Sequence, residues 1–175
     1  MADFDICGQN NETRTVRLKF LRPELLYDIK NYAFVEADVM GEEKQHGQHV
    51  LAEIGEEGNV DRVNRILAVV HAAAIEMLYP YTKSEPVEEE IDNMMVAPES
   101  YDIEMQVPLA MSRSSLQLLS KLIHEYMVYR VLADWLSITN PEASAKWMEK
   151  AKETETEIGR AKNRRGVMTR KTHPW

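Results

Sequence analysis

Residues 113–147 read RSSLQLLSKLIHEYMVYRVLADWLSITNPEASAKW, and this stretch decides the fold. Leu116, Leu119, Leu122, Ile123, Tyr126, Met127, Tyr129, Leu132, Trp135 and Leu136 recur at helical spacing and cover more than half of a helix circumference. A helix that apolar belongs to a core rather than a surface. Predicted over 113–138, it is roughly 40 Å long at ~1.5 Å per residue. Asn140-Pro141-Glu142 follows and supplies an N-cap, a first-turn proline and an acid matched to the helix dipole. The helix that opens there is predicted to run to about Arg165. Its inward positions, Trp147, Ala151, Thr154, Ile158 and Ala161, step by 4, 3, 4 and 3, a narrow seam suited to one partner helix. The remainder is largely Lys and Glu and therefore wet. Gly159 weakens its distal end and Gly166 is the predicted stop.

Upstream of this hairpin lie two alternating runs. In 15–20, Val16, Leu18 and Phe20 face one way while Arg17 and Lys19 face the other, the period of a strand. In 101–107 the apolar face is Tyr101, Ile103, Met105 and Val107, with Asp102 and Glu104 opposite. Antiparallel pairing of the two sets basic against acidic side chains across the ladder. Between them, Pro23 and Glu24 open a helix through Leu25, Leu26, Ile29, Tyr32, Ala33, Glu36 and Met40, with Gly41 as its stop. A shorter helical piece is predicted over 42–54. Asn59 is the expected cap of a helix over 60–79, whose face is Val60, Val63, Ile66, Leu67, Val70, Ala74, Met77 and Leu78. Pro80 and 82–86 break it, and Glu88, Glu89, Glu90 and Asp92 form an acidic, solvated loop. The predicted class is mainly α, a helical bundle of four to five helices with a small two-stranded β element.

Composition bounds the function. The chain has 175 residues, 44% hydrophobic and 29% charged, enough for one domain that buries about 70% of its unfolded surface. No run approaches the ~20 apolar residues of a membrane span. Met1 to Asp5 carry acids where a signal peptide carries basic residues. Cys7 is the single cysteine, which excludes an internal disulfide and a cysteine zinc cage. These features point to a cytosolic or assembled intracellular protein. Charge is unevenly spread: Ile158 to Trp175 holds six basic residues and no acid. Setting those six aside leaves 15 basic against 29 acidic residues over 1–157, a net charge of −14. The expected organisation is one helical domain over 1–163 and an extended basic C-terminal tail over 164–175. Such a tail meets something acidic, or it is a solvated terminus; the aromatic Trp175 favours a docked segment.

The search for chemistry finds no complete constellation. His46 and His49 place two imidazoles on one helical face, but no third ligand is spaced to finish a metal site, and two surface histidines are the simpler reading. His124-Glu125 resembles half of a zinc-protease helix, yet Val128 stands where the second histidine belongs. His71 reads as a satisfied core or interface histidine. Gly41 with Gly47, and Gly55 with Gly58, do not form a phosphate loop, and Cys7 lacks a nucleophile signature. The Met and aromatic residues of 113–138 read as core rather than as a cofactor pocket. The expectation is a protein that is not an enzyme, with no cofactor and no metal. The basic tail suits phosphate contacts, but a dedicated DNA reader presents its basic groups on a basic face, and this body is acidic.

From Ser114 through Leu116, Leu119, Ile123, Tyr126 and Trp135 to Leu136, then Asn140-Pro141 and the Trp147 helix, the chain resembles the head–tail connector (adaptor) proteins of tailed bacteriophages. Tyr126-Met127-Val128 and Ala133-Asp134-Trp135-Leu136 carry most of the likeness, which covers the second half of the chain; the first half agrees only in helix order. The Glu-rich loop at 85–92 and the long polar last helix depart from the pattern. The resemblance implies a structural virion protein, made in the host cytoplasm and placed at the head–tail junction. It implies a homo-oligomeric ring, a dodecamer, between the portal and the tail or further ring proteins, through which DNA passes. An acidic lumen would repel that DNA, so any DNA contact would be non-specific. On this reading Arg164, Arg165, Arg170 and Lys171 make ion pairs with a neighbouring subunit or the portal, and Trp175 is the apolar anchor. The alternative is a cytosolic helical regulatory or partner-binding module whose tail contacts nucleic acid or a partner protein.

Overall fold

The two alternating runs do pair. In the computed structural model, which describes residues 13–39, 54, 56–84 and 97–163, β1 (Thr13–Leu21) and β2 (Ser100–Pro108) form a two-stranded antiparallel sheet. The register sets Arg17 opposite Glu104 and Lys19 opposite Asp102. An Arg17 Nη2 donates to Glu104 at 3.2 Å; both side chains are well exposed, so the pair is worth only about 0.5 kcal/mol. The larger stabilisation is apolar. Leu18, Phe20, Tyr101, Ile103, Met105 and Val107 are buried on one face of the ladder. The Arg14 guanidinium donates to the Met111 carbonyl at 2.6 Å, which fastens the start of β1 to the turn after β2.

The chain enters α1 (Arg22–Val39) directly from β1. Pro23 has no N–H to leave unsatisfied in the first turn, and Glu24 sits at the positive end of the dipole. The Arg22 backbone N–H extends the ladder by one bond, to the Glu99 carbonyl at 3.0 Å.

α2 (Glu57–Met77) begins earlier than the expected Asn59 cap. Glu56 is the capping residue, in extended conformation, and its carbonyl accepts from the Asn59 and Val60 N–H groups at 2.9 and 3.1 Å. Those two bonds are already the first turn, so Asn59 lies inside it. The expected face is otherwise borne out, with Val63, Leu67, Val70, Ala74 and Leu78 buried. After the helix, the Tyr81 carbonyl accepts from the Gln106 N–H at 2.8 Å, on the edge of β2 away from β1.

α3 (Arg113–Thr139) is the long apolar helix expected over 113–138. Ser112 caps it, its Oγ accepting from the Ser115 N–H at 3.1 Å. α1 and α2 pack on α3, and α4 (Pro141–Lys162) folds back along it. Asn140 is the cap of α4, its Oδ1 accepting from the Ala143 N–H at 3.2 Å. All five predicted seam residues are buried, together with Ala143. Thr154 hides its hydroxyl by donating to the Lys150 carbonyl at 2.9 Å. The helix stops at Lys162, three residues short of the expected end: Asn163 closes it with its N–H on the Gly159 carbonyl at 3.2 Å.

The described residues therefore hold four helices and one two-stranded sheet, a mainly helical fold centred on α3. Of the helical piece expected over 42–54 only Ile54, which is buried, is described; the stops at Gly41 and Gly166 and the acidic loop over 88–92 lie outside the described residues. Among the described residues no helix is long and apolar enough to cross a membrane.

Candidate interaction surface

α1 carries apolar side chains on two opposite sides. On one side Leu25, Ile29, Ala33 and Ala37 are buried, facing α3. On the other, Tyr27, Phe34 and Val35 are 67%, 65% and 52% exposed. Glu24, Asn31 and Asp38 are exposed as well, and three- and four-residue spacing brings all six onto one stripe. Two carboxylates thus flank an aromatic surface that the single chain leaves in water, contrary to the ordinary burial preference of such residues.

Three contacts hold that helix in place. Asp28 Oδ2 accepts from His124 Nε2 at 2.7 Å, bridging α1 and α3. Lys146 of α4 reaches Glu36 at 3.2 Å. Tyr32 meets Tyr129 and Trp147 edge-on, with ring centroids 6.0 and 5.3 Å away, so one aromatic cluster joins α1, α3 and α4. The Lys150 ammonium lies 4.4 Å above the Trp147 ring. Burial, the Glu125 carboxylate and Tyr32 push the Tyr129 phenol up to about 12, so it stays neutral.

Beside the Asp28–His124 pair lies an open cleft of about 460 Å³ between β1, α1 and α3, where Lys19, Glu24, Lys121 and Glu125 place charges of both signs. Ser120 lines the same cleft, and no hydrogen bond joins its hydroxyl to the imidazole among the described residues. The Asp28–His124 pair fastens α1 to α3.

His71 is a half-buried histidine, as its sequence context suggests. Its Nε2 lies 3.0 Å from the Asp102 carbonyl, and its ring packs against Tyr101 at 5.3 Å. Burial lowers its pKa, and the Asp102 carbonyl and carboxylate oppose that without reversing it. Burial likewise raises the Tyr101 and Tyr126 phenols. Among the described residues no group of three or more His, Cys, Asp or Glu side chains is arranged to hold a metal ion.

The root of the basic segment is well defined. Lys162 donates to the Met77 and Tyr79 carbonyls at 2.7 and 3.0 Å, placing a cation on the negative end of α2. Tyr81 in turn donates to the Lys162 carbonyl at 3.4 Å. The chain that continues into 164–175 thus departs from the end of α2. Arg164, Arg165, Arg170, Lys171 and Trp175 lie outside the described residues, as do Cys7, His46 and His49.

The outer stripe of α1 was not evident from periodicity along its buried face. Its signal was nevertheless in the sequence: Tyr27, Phe34 and Val35 stand off the main stripe and make α1 apolar on both sides. The Asp28–His124 contact had no such signal, because its partners are 96 residues apart in the chain.

No known protein family, curated protein or solved structure matches the chain.

Proposed function

We propose that this chain is the subunit of a ring, a head–tail connector (adaptor) of a tailed bacteriophage, positioned between portal and tail. The observation that carries the reading is the outer stripe of α1. It is an apolar, acid-flanked surface on a chain whose 164–175 segment is basic and ends in Trp175. Two different surfaces that complement one another make a head-to-tail contact, and a head-to-tail contact with the right rotation closes into a ring. A self-complementary patch would give a dimer instead.

The residues that carry the resemblance support the reading through the fold. Leu116, Leu119, Ile123, Tyr126, Trp135, Leu136 and Trp147 are all buried, so the likeness is one of core positions. The dodecamer and the portal and tail partners come from that resemblance, whereas the basic tail is read from the charge of 164–175. On the proposal, Arg164, Arg165, Arg170 and Lys171 provide the rim charges and Trp175 the anchor. Any contact with passing DNA is weak, since the body is acidic.

Light scattering of the purified chain across a concentration series tests the proposal. The expected result is one discrete, closed oligomer, lost on deletion of 164–175 with helix content unchanged. A monomer or dimer at every concentration that binds DNA with a steep salt dependence would replace this reading with the nucleic-acid-contacting module.

A further inference from the structure

We infer that the outer stripe of α1 is the docking site for the 164–175 segment of a neighbouring copy of this chain. The inference rests on the ring reading and names the surface that receives the segment.

Chemistry matches on the two sides. The stripe offers Tyr27, Phe34 and Val35, each more than half exposed, with the Glu24 and Asp38 carboxylates on the same face. The segment reads RRGVMTRKTHPW, with four Arg and Lys side chains, no acid, and Val167, Met168 and Trp175 as apolar groups. An indole against Tyr27 and Phe34, with guanidinium groups on the flanking carboxylates, is the anchor-and-rim arrangement of an interface. Glu36 and Asp28 are already engaged inside the subunit, by Lys146 and His124. Glu24 and Asp38 face outward.

The ring reading gives the stripe to a neighbour's segment, and mixing the two variants separates that from docking within one chain. α1 runs alongside α3 in the same direction, since Asp28 meets His124 and Tyr32 meets Tyr129. α4 runs the opposite way, with Ser144 bonded to Ala133 near its start and Ala161 grouped with Leu118 and Leu122 near its end. The root at Lys162 is therefore at the far end of α4 from the Lys146–Glu36 bridge, ~24 Å along the axis. Twelve extended residues span at most ~40 Å. The Glu24 end of the stripe lies level with this root, since Glu24 shares a cleft with Ser120 and Lys121, and Ala161 one with Leu118 and Leu122, so length alone does not separate the two arrangements. In a head-to-tail ring the next subunit brings its stripe to the segment.

Sedimentation velocity on three proteins tests this: the parent chain, the Tyr27→Glu/Phe34→Glu variant, and the chain lacking 164–175. Circular dichroism verifies that all three keep their helix content. The expected result is a ring for the parent, a monomer for each variant alone, and a heterodimer and nothing larger when the two variants are mixed, because the mixture restores one interface and no more. If the stripe variant forms the parent's ring, the inference fails while the ring reading stands. If the stripe variant is monomeric but the deletion still assembles, the stripe meets another surface and the inference also fails. If no mixed heterodimer forms, the segment docks within its own subunit. A parent that is monomeric throughout sinks the ring reading, and docking is then judged separately with a fluorescent peptide of residues 164–175. At least tenfold weaker binding to the Phe34→Glu variant supports the surface, and equal binding or none overturns it.

Discussion

α4 and α1 both pack on α3, yet they use their sequences differently. α4 has one narrow inward seam, Ala143, Trp147, Ala151, Thr154, Ile158 and Ala161, and its other faces are largely Lys and Glu. Its large apolar groups are accounted for within the chain: Trp147 and Ile158 are buried, and the half-buried Met148 receives the Arg130 guanidinium on its sulfur at 2.8 Å. α1 buries an equivalent seam and then presents a second apolar stripe to water. A helix that only needs to fold resembles α4. The surplus on α1 marks a surface that stability of the single chain does not require, which is why the interaction proposal is placed there.

That contrast can be broken most decisively at Trp147. It is buried in the α4 seam and touches both Tyr32 and Tyr129, so Trp147→Ala is expected to cost about 3–5 kcal/mol in urea unfolding followed by circular dichroism. A loss below about 1 kcal/mol would mean that the seam is not what holds α4. Next in size is the cap: Asn140→Ala removes the acceptor of the Ala143 N–H and should cost about 1 kcal/mol by the same measurement. An unchanged midpoint would assign the start of α4 to Pro141 alone.

A smaller effect depends on pH. The folded protein holds His71 below its ordinary pKa of 6.5, chiefly by burial, so the unfolded chain binds that proton more readily. This contribution to stability is fully present above pH 6.5 and is lost as pH falls through the window down to the folded value. His71→Gln should flatten the stability profile across that window relative to the parent. Equal slopes in the two proteins would show that other groups set the acid response.

The smallest expected change sharpens the contrast from the other side. Phe34→Ser alters an exposed position on α1, so unfolding stability should stay within about 0.5 kcal/mol of the parent, while self-association should weaken. A large loss of stability would place Phe34 in the chain's own core and remove the distinction between the two helices.

Much of this fold was legible in the chain because its signals are local. The strict alternation in 15–20 and 101–107, with opposite charges on the polar faces, predicts the pairing that the register shows. Asn140-Pro141 marks a helix start through the hydrogen bond and fixed φ those residue types supply. The 4-3-4-3 spacing from Trp147 marks a seam that is buried at every position. Where local signals compete, the reading slipped by a few residues: Asn59 is a good cap by type, but the Glu56 carbonyl had already begun the turn.

By itself, then, the sequence determined the helical hairpin of α3 and α4, the strand pair, the inward face of each helix and the division of charge, since each depends on residues within a few turns or on simple pairing of opposite signs. Only the tertiary structure decided that His124 fastens to Asp28, that Lys162 closes the end of α2, and that the second apolar stripe of α1 stays in water. Those outcomes depend on which surfaces α3 offers and on groups as much as 96 residues apart, distances over which periodicity carries no information.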